Sequence, residues 1–180
     1  MKPRKPFCLF LLMVYMLVPH MALAADQGTT IYLIRHTEKV LDGSNDPDLT
    51  LAGLERAKQW AKVLDRIELH HIFSTDTTRT HDTASIIAVA KGLPVQIYDH
   101  QTMDYAAFIA AHKGKNVLMV GHSNTVPGIA NGLLGKRQYE DLSEDDYGSL
   151  FIVNLAAGSA HAQVLQVNPW SGSAAPDTKK

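Results

Sequence analysis

Two short runs, Ile31-Tyr32-Leu33-Ile34 and Val117-Leu118-Met119-Val120, carry an apolar or aromatic residue at every position. Successive side chains of a strand point to opposite faces, so a strand with one wet face alternates polar and apolar residues. A strand that is apolar throughout needs cover on both faces, as in a parallel sheet between two layers of helices. The rest of the chain supplies those helices. Thr50 reads as an N-cap followed by Leu51, Leu54, Ala57, Ala61 and Leu64 at helical spacing. Asp76 or Thr77 caps a second helix through Ala84, Ile87, Ala88 and Lys91, with Gly92 as its stop. Thr102 caps a third, which ends near His112 and Gly114. A fourth runs from Val126 to Leu134, with Pro127 tolerated in its first turn.

Strands fall between them at Thr30–Ile34, His71–Phe73, Val95–Tyr98 and Asn116–Val120. Two late strands, Ser149–Leu155 and His161–Val167, flank a turn at Ala157-Gly158. Strand–helix alternation of this length predicts an α/β fold. The expected form is a three-layer sandwich: a mostly parallel sheet, helices on both faces, and an antiparallel C-terminal edge.

The ends of the chain stand apart from this domain. Lys2, Arg4 and Lys5 precede an apolar run from Phe7 to Val18, then Pro19 and the small-residue pattern Ala22-Leu23-Ala24. This is the three-part pattern of a secretory signal peptide, and the run is short of the roughly 20 residues that span a bilayer. Residues 1–24 are therefore expected to be a cleaved signal, 25–168 the domain, and 169–180 a tail rich in small residues. The mature chain is expected in the periplasm or outside the cell, with no stable membrane span. Cleavage takes away three basic residues and no acidic one, moving the net charge from −1 to −4. That balance argues against a nucleic-acid binder, which needs a basic face. Cys8, the only cysteine, leaves with the signal, so neither a disulfide nor thiol chemistry is expected.

In parallel sheets the functional residues gather at the carboxyl ends of the strands. Arg35 and His36 follow the first strand; Ser74-Thr75-Asp76 follow the second, with Arg79 in the opening turn of its helix. Asp99 and His100 follow the third, and His122 follows the fourth. Two arginines and two histidines beside helix N-termini make an anion site, and the arginine fork suits phosphate. A neutral imidazole is also a competent nucleophile, which turns binding into catalysis. His36 is placed as the nucleophile, with Arg35, Arg79 and His122 stabilising charge on the phosphoryl oxygens. This scheme needs no metal or cofactor. Zinc ligation is disfavoured because two guanidiniums would repel a cation and no Cys/His pair has ligand spacing.

The motifs Leu33-Ile34-Arg35-His36-Thr37-Glu38, Leu49-Thr50 with Gly53 and Ala57, Ser74-Thr75-Asp76 with Arg79-Thr80 and Thr83-Ala84, and Gly121-His122-Ser123 occur in one order. In that order the chain resembles the histidine phosphatase superfamily, the branch of phosphoglycerate mutases and small bacterial phosphatases. The resemblance implies a phosphohistidine on His36 and phosphate held by Arg35, Arg79 and His122. Two departures stand out. Thr37 takes a place where many members have glycine, and its hydroxyl would touch phosphate or its bulk narrow the pocket. The insertion that supplies the leaving-group acid in larger members is reduced to Asp99–Asp104. Asp99 is the candidate acid, whereas Asp104 reads better as a helix start. Ser123 either donates to phosphate or shapes its turn.

Other residues carry less. His70 and His71 read as edge packing, His112 and His161 as solvent-facing, and His100 as a residue at the pocket mouth. The acidic run Glu140–Asp146 reads as a solvated loop, since it lacks calcium-ligand spacing. The expected function is an exported phosphomonoesterase acting on a small phosphorylated substrate. Protein phosphohistidine, lipopolysaccharide sugar phosphates and mutase chemistry stand as rival assignments. A non-catalytic phosphate-binding module on the same fold is the alternative from another class. Substrate and oligomeric state have no readable code in the sequence.

Overall fold

The computed structural model describes residues 28–156 and 158–167; the expected signal and tail lie outside the described residues. Six strands and four helices follow in the order β1 (Thr29–Arg35), α1 (Leu51–Val63), β2 (His71–Ser74), α2 (Thr78–Lys91), β3 (Val95–Ile97), α3 (Tyr105–Ala111), β4 (Asn116–Gly121), α4 (Thr125–Leu134), β5 (Ser149–Ala156) and β6 (Ser159–Gln166). The strands form one sheet in the order β3-β2-β4-β1-β5-β6. β3, β2, β4 and β1 run parallel, and β5 and β6 add an antiparallel edge. This is the expected α/β sandwich with its antiparallel C-terminal edge.

The two all-apolar runs are the adjacent central strands, paired in register from Ile31↔Val117 to Ile34↔Val120. Their alternate side chains feed two separate cores. Ile31, Leu33, Val117 and Met119 pack with Val126, Ile129 and Leu133 of α4, and with Phe108 of α3. Ile34, Leu118 and Val120 pack on the opposite face with Trp60 of α1, Leu64 at its C-cap, and Ala84, Ile87 and Ala88 of α2. The helix layers thus account for the absence of polar residues on either face of these strands.

Several boundaries differ from the sequence expectations, each for a local reason. β1 runs on to Arg35, and His36 N–H still donates to Gly121 O at 2.9 Å, so the ladder continues to the site itself. α3 begins after Asp104 and not after Thr102. Asp104 accepts from Ala107 N–H as an N-cap, while the Thr102 hydroxyl donates to the Asp99 carboxylate. His112 is not solvent-facing: its ring is half-buried, stacked on Phe108 with centroids 4.2 Å apart, and its Nδ1–H donates to Phe108 O. Thr77 precedes α2 but makes no side-chain cap. The cap comes from outside the helix: the Asp46 carboxylate accepts from Thr78 N–H at 3.0 Å and from the Thr78 hydroxyl at 2.7 Å. Gly53 sits where a Cβ would meet Glu38 O at 2.2 Å, so α1 lies against the chain just after the first strand only because that residue is glycine.

Candidate active site

The parallel register sets the site. Arg35 is paired with Gly121, and Ser74 with Val120, so the residues that follow β1, β2 and β4 emerge at one sheet edge. His36 and His122 face each other there edge-on, with ring centroids 5.5 Å apart. Arg79, in the first turn of α2, reaches this pair: its Nη2 lies 3.4 Å from His122 Nδ1. The structure therefore brings together His36, His122, Arg35 and Arg79.

His36 is 2% exposed, and its Nδ1–H donates to Thr37 O at 2.8 Å. With the proton held on Nδ1, the lone pair lies on Nε2. Burial, with the positive charges of Arg35, His122 and Arg79, pushes its pKa down to about 3, against a smaller opposing effect of the Thr37 carbonyl. His122 is pushed down to about 4 by burial first, then by Arg79, His100, Arg35 and Lys39. Both rings are neutral at pH 7, which leaves the Nε2 lone pair of His36 unprotonated.

The arginines are held from opposite sides. Arg79 Nη1 pairs with Asp46 at 3.2 Å. Arg35 Nη1 donates to the carbonyls of Ser143, Glu144 and Asp146 at 2.9, 3.0 and 3.3 Å, and its Nη2 pairs with the Glu144 carboxylate at 3.1 Å. The Tyr147 ring covers the same guanidinium, with Arg35 Cζ 4.5 Å from its centroid. The acidic segment is therefore more than a solvated loop, since its backbone is folded around Arg35. The Nε atoms of both arginines are buried with no hydrogen-bond partner among the described residues. A phosphate oxygen would satisfy such donors, since a buried N–H left without an acceptor is costly.

Other expected site residues are placed elsewhere. Asp99 is exposed, and its carboxylate accepts from Gln101 N–H at 2.9 Å and from the Thr102 hydroxyl. Its carboxylate is thus spent closing a turn, which removes the argument for it as the buried acid. Thr37 is fully buried, and its hydroxyl meets Thr83 Oγ1 at 3.3 Å, while Thr83 also accepts from Thr37 N–H. Thr37 fastens the end of β1 to α2. Ser123 is half-buried, and its carbonyl accepts from Leu142 N–H, so its structural tie is through the backbone.

Residues with no role assigned from sequence also belong here: Thr75, Asp46, Glu144 and Tyr147. Thr75 Oγ1 lies 3.0 Å from His122 Nε2, and the Tyr147 ring centroid lies 6.0 Å from that of His36. A run of hydroxyls, Thr75, Thr77, Thr78, Thr80 and Thr83, was visible around Arg79. Nothing local marked Asp46, Glu144 or Tyr147. Among the described residues no group of three or more His, Cys, Asp or Glu is arranged to hold a metal ion.

Residues 31–101 match the family model of the histidine phosphatase superfamily (branch 1). "Probable phosphoglycerate mutase GpmB" of Escherichia coli O1:K1 / APEC is 29% identical over 113 residues, covering 59% of this chain and 52% of that protein. The same protein of Escherichia coli O45:K1 (strain S88 / ExPEC) matches equally. The chain thus spans about half the length of the curated relatives it matches. Among solved structures, the protein histidine phosphatase SixA complexed with tungstate superposes with a TM-score of 0.62 at 19% identity, over 78% of this chain and 97% of that one. The mycobacterial glucosyl-3-phosphoglycerate phosphatase complexed with VO3 superposes with a TM-score of 0.64 at 14% identity, over 77% and 99%. These likenesses show a shared fold, the phosphoglycerate mutase-like sandwich.

Proposed function

We propose that the chain, whose residues 31–101 match the histidine phosphatase superfamily model, is an exported, metal-independent phosphomonoesterase of that superfamily that works through a phosphohistidine on His36. The observation that carries this reading is the state of His36: buried, neutral, and tied through Nδ1 so that Nε2 is the nucleophilic atom. In the first step the Nε2 lone pair forms a bond to phosphorus. The ester P–O bond breaks, and its electron pair leaves on the alcohol oxygen, which takes a proton from solvent. In the second step water attacks phosphorus and loses its proton, the N–P bond breaks, and the electron pair returns to Nε2. Arg79 and Arg35 counter the charge on the equatorial oxygens in both steps, and His122 joins them once the bound phosphate has drawn a proton onto Nδ1.

The carboxyls near the site favour substrates whose leaving group needs little protonation. Asp99 and Asp104 cap local turns, and Glu38 pairs with Arg56 at 2.6 Å. Asp46 is held below the usual carboxylate range by its hydrogen bonds from Thr78 and by Arg79, so it is ionised. Aryl phosphates and the phosphoramidate of phosphohistidine fit that condition. The second reading, a protein phosphohistidine phosphatase, draws on the same condition and on the structural likeness to SixA, 97% of which is covered. Export rests on the basic, apolar and small-residue pattern of residues 1–24.

The test is phosphate release from an aryl phosphate by the purified chain. His36→Ala should abolish it, a loss of at least about a thousandfold. EDTA should leave the wild-type rate unchanged, and rapid acid quench should trap a covalent phosphate that His36→Ala lacks. Full activity in that variant would end the reading. Cell fractionation with N-terminal sequencing of the mature chain tests export.

A further inference from the structure

We propose that Thr75 is a positioning residue for His122: its hydroxyl accepts a hydrogen bond from Nε2–H and so holds the ring with Nδ1 turned to Arg79, where Nδ1 gains the proton it donates once a phosphate is bound. The proposal rests on the reading of His122 as a phosphate ligand given above.

The argument begins with the two ring nitrogens. Nδ1 lies 3.4 Å from Arg79 Nη2, and Nε2 lies 3.0 Å from Thr75 Oγ1. A guanidinium has donors and no lone pair, so Nδ1 must be the acceptor. A neutral imidazole with an accepting Nδ1 carries its proton on Nε2, and that proton points at Thr75 Oγ1. The Thr75 hydroxyl in turn donates to Thr80 Oγ1 at 2.9 Å. The Thr80 hydroxyl finds the carbonyls of Thr75 and Thr77, each at 2.9 Å. Every donor in the chain Arg79, His122, Thr75, Thr80 has an acceptor, and the polarity runs one way.

The turn does not itself require the Thr75 hydroxyl. It is already closed by Thr80 onto two carbonyls and by the Thr77–Thr80 hydroxyl contact at 2.7 Å. What does require Thr75 Oγ1 as an acceptor is His122. Thr75 and Thr80 are buried, at 5% and 0% exposure, so water does not substitute for either. The partner behind the histidine is thus a neutral hydroxyl. The charged and titratable groups around the ring are Arg79 from α2, Arg35 and His36 from β1, Lys39 just beyond β1, His100 beyond β3, and Asp46 from the loop after β1. Thr75 therefore fixes orientation and tautomer and adds no charge to that set.

Three enzyme variants and one spectrum test this. Thr75→Val keeps the shape and removes the hydroxyl; it should lower kcat about five- to tenfold, the worth of one hydrogen bond, with KM within about twofold. Thr75→Ser should recover most of that loss. In a His122→Ala background Thr75→Val should cost nothing further, because its effect passes through the ring. The 15N spectrum of the wild-type imidazoles should show His122 protonated on Nε2 at pH 7. The proposal is overturned by a Thr75→Val enzyme equal to wild type, by the same loss in both backgrounds, by no recovery with serine, or by an Nδ1–H tautomer. If the wild type releases no phosphate from any ester, the functional reading fails, and the 15N spectrum still decides the place of the proton.

Discussion

His36 and His122 are buried bases kept neutral among cations, and this has a consequence for stability. Their ordinary pKa is 6.5, and the fold holds them at about 3 and about 4. As pH falls through 6.5 the unfolded chain takes up a proton on each ring, while the folded chain does not until its own lower values are reached. The unfolded state then binds more protons, so stability falls between pH 6.5 and about 3; above 6.5 these rings contribute no slope. Urea midpoints at pH 7.5 and 4.5 should therefore drop further for the wild type than for His36→Gln. Equal drops would show that His36 is not held neutral by the fold. The cluster of His36, His122, Arg35 and Arg79 was legible in the sequence because each lies next to a strand end, where position alone predicts the gathering. The tie of the Thr37 side chain to Thr83 was not legible, because adjacency in sequence says nothing of rotamer. Thr75 was within a recognised motif, but its role depends on a hydrogen bond spanning 47 positions.

At the scale of elements, the loop over residues 42–48 and helix α2 form a unit. Asp46 supplies the cap that Thr77 does not, and the same carboxylate pairs with Arg79. Asp46→Ala should destabilise the domain by about 1 kcal/mol, the usual worth of an N-cap. Arg79 also loses its outer anchor, so KM for a phosphate ester should rise. Thermal unfolding and steady-state kinetics on one preparation check both, and a variant that changes neither would dissociate the loop from the helix. The helices themselves were legible from their spacing, and Gly92 ends α2 in the left-handed region as its position predicts. Their first residues were less so. Two candidate caps, Thr102 and Asp104, lay close together before α3, and the structure gives the helix to Asp104 because Thr102 is occupied by Asp99. A cap supplied by a loop more than thirty positions away leaves no local trace at all.

For the whole molecule, the central sheet separates two cores that share no side chain. Ile87 lies in one and Ile129 in the other, both essentially unexposed. Ile87→Val and Ile129→Val should each cost about 0.5–1.5 kcal/mol. The double variant should cost their sum within about 0.5 kcal/mol, because the sites share no partners. Chemical denaturation of the three variants measures this, and a larger departure would mean that strain crosses the sheet. The global fold was the most legible level, since two all-apolar runs demand cover on both faces and the intervening helices supply it. The fold around Arg35 was not, because a carbonyl is the same in every residue.

That last point bears on how such a protein can change over generations. Three backbone oxygens, those of Ser143, Glu144 and Asp146, hold Arg35 Nη1. Backbone oxygens persist through almost any replacement of the side chains that carry them. The segment beside His36 can therefore drift in sequence, and so reshape the rim of the site, while the arginine beneath it stays gripped.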